Sequence, residues 1–426
     1  MIVFVFIAAL LGAMALGMPV AFALIVSGLA MMWHIDMLSP QIVAQNMLSG
    51  ADSFTLLAVP FFLLAGELMN AGGISRRIVN AALAWIGHFR GGLGYAGIAA
   101  AVILAALSGS AIADTAAVAA LLVPAMRDSG YSVRRSTGLL AAGGVIAPVL
   151  PPAIALVLFG VAGGVSITQL FLAGIFPGLL MAVSLVLTSA FVCRRDRIEP
   201  LPKKTMQERL RITLDASIGL LLPVVIIGGI RAGIFTPTEA AVIAAVYALV
   251  VGLFVYREIK IPDLYGIVVR AAKITASVIF LVAAAMVSAW LIAAADIPSY
   301  VRDMLEPFID TPILLMFILM VLVIIVGTAL DMAPTILILT PVLMPVIREA
   351  GIHPVYFGIL FVMNNALGMV TPPVGTVLNV AASVSRISVD DAFKGVFPFL
   401  MAEIAVMFLL VLFPDLVLVP LRFLMR

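Results

Sequence analysis

Charge is scarce in this chain: Asp, Glu, Lys and Arg make up 11% of its 426 residues against 64% hydrophobic, and a mean hydropathy of +1.25 excludes an ordinary soluble domain. Cysteine is almost absent. The single Cys193 has no partner for an internal disulfide, and beside Arg194 and Arg195 at the end of an apolar run it reads as inert. The histidines are three, His34, His88 and His353, scattered without metal-ligand spacing, and no G-x-x-x-x-G-K-[ST] sequence occurs. Neither a histidine-ligated metal centre nor a nucleotide engine is therefore expected. No Ser/His/Asp arrangement emerges either, so the chain is not read as an enzyme. A net charge of +2, set by basic residues in short segments between apolar runs, indicates no nucleic-acid surface. Period-two alternation is missing too, which removes a β-barrel and leaves an all-α polytopic membrane protein lying in a lipid bilayer. The N-terminus lacks a basic region before its first apolar run and is read as a retained membrane helix.

What the chain does have is interrupted apolar runs. Residues 92–107 and 114–126 flank the small, polar stretch Leu107-Ser108-Gly109-Ser110-Ala111-Ile112-Ala113-Asp114-Thr115. Each arm reaches only ~20–24 Å as a helix, short of the ~20 residues that a full span needs. With charge at His88, Arg90, Arg127 and Asp128, residues 92–126 read as a re-entrant hairpin. A span over 136–163 follows, broken at Ala147-Pro148-Val149-Leu150-Pro151-Pro152, where three prolines remove backbone donors and free carbonyl oxygens in mid-membrane. The pattern recurs. A second short-armed hairpin is expected over 311–347, interrupted at Gly327–Pro334, and a second broken span over 354–383, interrupted at Gly368-Met369-Val370-Thr371-Pro372-Pro373. Pro124 and Pro345, Arg127 and Arg348, Gly130 and Gly351, and Pro151-Pro152 and Pro372-Pro373 all pair at one spacing of 221 residues, which also brings Ser110 onto Asp331.

The chain accordingly divides into a first repeat over 1–193, a charged and proline-rich cytoplasmic linker over 194–212, and a second repeat over 213–426. Other expected segments are a pair of helices over 2–33 divided at Gly17-Met18-Pro19, an interfacial helix over 74–89, and spans over 53–70, 169–193, 213–231, 238–257, 264–294 and 396–420. With the linker inside, most basic residues fall on the cytoplasmic side and the two hairpins enter from opposite faces. That is an inverted-topology repeat, the frame of many secondary transporters.

Half-helix N-termini at such breaks suit an anionic substrate, while unwound carbonyls and helix C-termini suit a small cation such as Na⁺. Ser108 and Ser110 read as cation ligands, against the plainer reading of small residues packing helices. Asp114 either neutralises a cation or caps the second arm. Asp331 has the same two readings, and a buried carboxylate in a membrane is costly enough to point to a site. Asn364 and Asn365 need partners inside the second broken span. Thr371 and the proline pairs Pro151-Pro152 and Pro372-Pro373 are hard to explain as packing alone. Glu67 fits a place near the interface.

The run Leu57-Ala58-Val59-Pro60-Phe61-Phe62-Leu63-Leu64-Ala65-Gly66-Glu67-Leu68-Met69, with Ser108-Gly109-Ser110, Pro151-Pro152 and Thr371-Pro372-Pro373, resembles the large membrane subunit of TRAP (tripartite ATP-independent periplasmic) transporters, nearly end to end. Residues 113–124 are closest to the branch that includes sugar-acid, diketogulonate-type systems. The resemblance implies a multi-pass permease of the bacterial inner membrane that imports a small organic acid (a sugar acid, keto acid or C4-dicarboxylate) with Na⁺ by an elevator motion. It implies a soluble periplasmic substrate-binding protein and a small four-helix membrane subunit as partners, and no cofactor beyond the coupling ion. One sodium site would use Ser108, Ser110 and backbone around Ala147, Leu150 and Pro151, and the other Gly327, Thr328, Gly368 and Thr371. Asp114, Asp331, Asn364, Asn365, Pro152, Pro372 and Pro373 would stand at or near the substrate. The chain departs from many relatives at Ala111 and Ala153, where they carry serine. The rival function on the same frame is a stand-alone ion exchanger or antiporter.

Overall fold

Backbone polar groups in a bilayer must be satisfied within the chain, so long apolar runs wind into helices, and glycine or proline decides where each stops. The computed structural model describes residues 2–193 and 198–425; Arg194–Arg197 of the linker lie outside the described residues. In the first half, α1 (Ile2–Ala15) and α2 (Val20–His34) part where Gly17 takes a left-handed φ of 82° ahead of Pro19. Then come α3 (Pro40–Ala51), a 3₁₀ turn (Phe54–Leu57) running into α4 (Ala58–Ala71), and the amphipathic α5 (Ile74–Ile86). The first hairpin is α6 (Gly92–Ser108) and α7 (Ala111–Asp128), and the first broken helix is α8 (Val133–Gly144) and α9 (Ile154–Gly163), followed by α10 (Ile167–Val192).

The second half holds α11 (Met206–Arg231), α12 (Pro237–Val250) with a π-helical end (Val251–Val255), α13 (Ile261–Ala294) and α14 (Ile297–Ile309). The second hairpin, α15 (Pro312–Ala329) and α16 (Met332–Glu349), leads to the second broken helix, α17 (Pro354–Gly368) and α18 (Thr376–Ser385), then to α19 (Val389–Leu412) and α20 (Asp415–Leu424). Among the described residues all regular structure is helical, and eight helical stretches are long and apolar enough to cross a membrane.

Some boundaries differ from expectation. α11 begins at Met206, within the expected linker, because Thr205 and Glu208 form a reciprocal capping box there. The single crossing expected over 396–420 is two helices, interrupted at Phe413-Pro414. α3 and α14 were not anticipated as helices.

The repeat is visible in the elements themselves: α7 and α16 begin at Ala111 and Met332 and end at Asp128 and Glu349, both at the 221-residue spacing. Each hairpin packs on its own broken helix, and each second arm also packs across the molecule, α7 on α18 and α16 on α9. These cross-pairs fix the sense of entry. The base of the second hairpin meets the end of α9, where an Arg348 Nη donates to the Gly163 carbonyl at 3.0 Å. The base of the first hairpin meets the end of α18, with Arg127, Ser385 and Arg386 around one cavity. Since α8 starts at the first hairpin's base and α9 ends at the second's, the hairpins enter from opposite faces.

Around this unit α4 packs with α12 and α13, and α13 with α2 and α3. α5 lies on α11, held by Arg77, which pairs with Glu258, reaches Asp215 at 3.1 Å and stacks 3.9 Å over Tyr256. At its other end the Trp85 indole N–H donates to the Thr213 hydroxyl at 2.8 Å. Cys193 is buried at the end of α10, 4.0 Å from the Ser189 hydroxyl. Glu67 pairs with Arg270 at 3.1 Å, and both side chains are partly exposed.

Candidate functional site between the hairpin tips

Gly109 makes the first tip. Its φ of 59° turns the chain out of α6, and a Cβ there would run into the Pro152 carbonyl, so the tip lies directly against the first break. Ser110 is the N-cap of α7, its hydroxyl accepting from the Ala113 N–H at 3.4 Å. Ser110, not Asp114, is therefore the cap of α7. Instead Asp114 accepts from the Ser108 hydroxyl at 2.6 Å, and the Ser108 oxygen in turn accepts from the Ser110 N–H at 3.1 Å. Asp114 is 2% exposed, and among the described residues its other carboxylate oxygen has no partner. Among the described residues the carbonyls of Ala147, Leu150 and Pro151 accept no backbone hydrogen bond outside the helices, and all three residues are buried together with Pro152. Ala111 and Ala153 are buried here as well, and the Ala153 Cα is 3.1 Å from where a Cβ of Gly109 would stand.

The second tip has the same plan with other side chains. A Cβ at Gly368 would stand 2.5 Å from the Gly327 carbonyl oxygen, so those two backbones touch. The Thr328 carbonyl accepts from the Val374 N–H at 3.3 Å, and the Thr371 hydroxyl donates to the Leu367 carbonyl at 2.8 Å. Gly327, Thr328, Gly368 and Thr371 thus form one cluster. Asn365 stands beside it: its amide oxygen is 3.1 Å from a Gly327 Cβ position, and among the described residues neither of its amide atoms has a partner although the residue is 1% exposed. Asn364 donates to the Met320 carbonyl and leaves its own amide oxygen unpaired. Asp331 is exposed at the start of α16, makes no capping hydrogen bond, and accepts from the Thr376 hydroxyl at 3.5 Å. Pro372 and Pro373 are exposed, unlike their counterparts.

The tips meet at a cleft of about 140 Å³, to which the first hairpin gives Gly109–Ile112, the second Asp331–Ala333, and the two breaks Pro148 and Met369. α7, α9 and α16 all start on its wall. Helix N-termini present unpaired N–H groups and partial positive charge, so the cleft attracts an anion. Beside it, past the C-terminal end of α8, the carbonyls of Ala147, Leu150 and Pro151 are released from helical bonding and suit a cation.

Thr115 and Glu403 escaped the sequence reading. Among the described residues Thr115, 1% exposed, has an unpartnered hydroxyl that a Cβ on Gly144 would strike, and Glu403, fully buried in α19, has both oxygens unpaired. For Glu403 the signal was available, since a lone carboxylate inside an apolar span is expensive.

Comparison with known proteins gives the family and the fold. Residues 7–416 match the family model described as Tripartite ATP-independent periplasmic transporter, DctM component. The chain is 51% identical over 422 residues to the 2,3-diketo-L-gulonate TRAP transporter large permease protein YiaN of Escherichia coli (strain K12), covering 99% of each. It is 39% identical to the sialic acid TRAP transporter large permease protein SiaM of Vibrio cholerae, over 95% of each chain. To the C4-dicarboxylate TRAP transporter large permease protein DctM of Pseudomonas aeruginosa it is 36% identical, over 84% of each. Its fold is similar to the crystal structure of the YdaH transporter of Alcanivorax borkumensis, with a TM-score of 0.63 and 15% identity over 88% of this chain and 87% of that one.

Proposed function

Because the chain belongs to the DctM family of tripartite ATP-independent periplasmic transporters and is a multi-pass protein of the inner membrane, we propose that it is the permease of a Na⁺-coupled symporter that imports a small organic acid. The observation that carries this reading is the convergence of both hairpin tips on one cleft walled by helix N-termini, with loosened carbonyls beside it. The acid occupies the cleft with its carboxylate against the starts of α7 and α16. One Na⁺ lies by Ser108, Ser110 and the carbonyls of Ala147, Leu150 and Pro151, and a second by Gly327, Thr328, Gly368 and Thr371. Asn364 and Asn365 supply amides behind the second ion, and Asp114 offsets the charge of the first. Residues 1–193 and 213–426 act as the two inverted halves. Binding sodium and acid together neutralises the cleft, and the loaded hairpin unit then moves past α4, α12 and α13 as an elevator. A soluble binding protein delivers the acid and a small membrane subunit completes the assembly. A sugar acid is favoured by the high identity to a 2,3-diketo-L-gulonate permease.

Uptake by the three-part system in proteoliposomes tests this reading with a panel of sugar acids, keto acids and C4-dicarboxylates. An inward Na⁺ gradient drives accumulation of at least one acid, and only with the binding protein present. Exchange of ions without acid would instead indicate the stand-alone exchanger, and acid uptake indifferent to Na⁺ would overturn the sodium coupling.

A further inference from the structure

A second cavity, about 570 Å³, lies at the end of the bundle away from the linker, between the 3₁₀ turn before α4, the α9–α10 turn and the start of α12. Six hydroxyl side chains line it, those of Ser53, Thr55, Ser166, Thr168, Thr236 and Thr238, and among the described residues no charged side chain does. Two are engaged locally: the Ser166 hydroxyl accepts from the Gln169 N–H at 3.4 Å, and the Thr236 hydroxyl donates to Glu239 at 2.9 Å. Thr238 is only 7% exposed, yet among the described residues its hydroxyl has no hydrogen-bond partner. An unpaired hydroxyl on a residue this enclosed, lining a roomy cavity, is open to a ligand's hydrogen bond.

Helix starts add to this. The 3₁₀ turn, α10 and α12 all begin at the cavity. The start of α12 is already faced by the Glu239 carboxylate, so an acid group is drawn to the start of α10. The cavity also adjoins the central cleft along one helix. Ile154, Ala155 and Leu158 of α9 line the cleft, while Gly160, Val161 and Gly164 line this cavity. From Ala155 to Val161 the rise is roughly 9 Å.

We propose that this cavity is an antechamber that binds a small polyhydroxylated carboxylic acid, with Thr168 and Thr238 exchanging hydrogen bonds with its hydroxyl groups before it passes along α9 to the cleft. The proposal rests on the reading of the chain as an organic-acid permease. Hydroxyls placed to pair with a ligand's hydroxyls discriminate against an acid that lacks them, because the protein groups would then stay unpaired.

The lone cysteine makes the test clean. In the full three-part system carrying Cys193→Ser, Thr168→Cys is modified with a membrane-impermeant methanethiosulfonate reagent in the presence of D-gluconate or of succinate. Gluconate is expected to slow modification about three- to tenfold, the worth of one or two net hydrogen bonds, while equal succinate leaves the rate unchanged. No slowing by gluconate, or equal slowing by both, overturns the antechamber. In uptake assays Thr238→Val raises the half-saturating concentration of the hydroxylated acid by a similar factor with the maximal rate preserved, and an unchanged half-saturation counts against it. If the unmodified system accumulates no acid at all, the functional reading fails, and the labelling rates still decide the antechamber by themselves.

Discussion

The two hairpin tips share a backbone plan and differ in how firmly it is tied. At the first, Ser110 caps α7, Ser108 is bound to Asp114 at 2.6 Å, and Pro151 and Pro152 are buried. At the second, Asp331 begins α16 without a capping bond, its tie to Thr376 is 3.5 Å long, and Pro372–Val374 are exposed. The bases repeat the contrast. Arg348 caps the C-terminal end of α9 with a charge-assisted bond at 3.0 Å, whereas its counterpart Arg127 shares a cavity of about 280 Å³ with the end of α18. Symmetry of the main chain therefore does not carry over to the side chains. The first tip is held by its own side chains, and the second is tied more loosely.

The sharpest way to break this comparison is steric and should act on both halves alike. Gly109→Val forces a side chain onto the Pro152 carbonyl from a left-handed backbone, and Gly368→Val onto the Gly327 carbonyl. Overpacking costs about 1–3 kcal/mol and the left-handed φ another 1–2. Uptake should fall at least about tenfold in each variant, and retained uptake in either would show that the tips do not touch the breaks as described. A more discriminating pair follows. Ser108→Ala strips Asp114 of its only donor and should cost about 1–3 kcal/mol, whereas Thr376→Val removes a long, exposed contact worth less than about 0.5 kcal/mol. Thermal melting in detergent separates them, and equal shifts would erase the asymmetry. Smaller still is the contrast at the bases. Arg348→Met, at an exposed side chain, should lower stability by about 0.5–1.5 kcal/mol, against less than about 0.5 kcal/mol for Arg127→Met; the same melting experiment reads both.

Much of this was legible in the residues because membrane packing leaves few ways to use a proline pair or a short apolar arm. The arms of both hairpins, the two breaks and the 221-residue repeat all rest on glycine and proline, whose backbone effects are local. What stayed hidden was tertiary or weakly apolar. α3 and α14 are too short and too polar to register as spans; α14 carries Arg302, Asp303 and Glu306. The bond from Ser108 to Asp114 crosses a six-residue separation through a left-handed glycine, so no helical periodicity announces it. Nor does sequence show that Asp331 is exposed while Asp114 is enclosed, since that depends on which neighbours close over each tip. The hydroxyl-lined cavity is drawn from three segments more than a hundred residues apart at the extremes, Ser53 to Thr238, and no one of them is distinctive.

The most direct measurement is a sodium titration of acid uptake by the reconstituted three-part system, with the unaltered permease beside Ser110→Ala and Thr371→Val. Both substitutions should leave the protein folded and shift half-saturation to about five- to tenfold higher Na⁺, each having removed roughly one charge-assisted ligand. Titration curves that superimpose on the unaltered protein's would contradict the claim that sodium is held where the two hairpin tips meet the two broken helices.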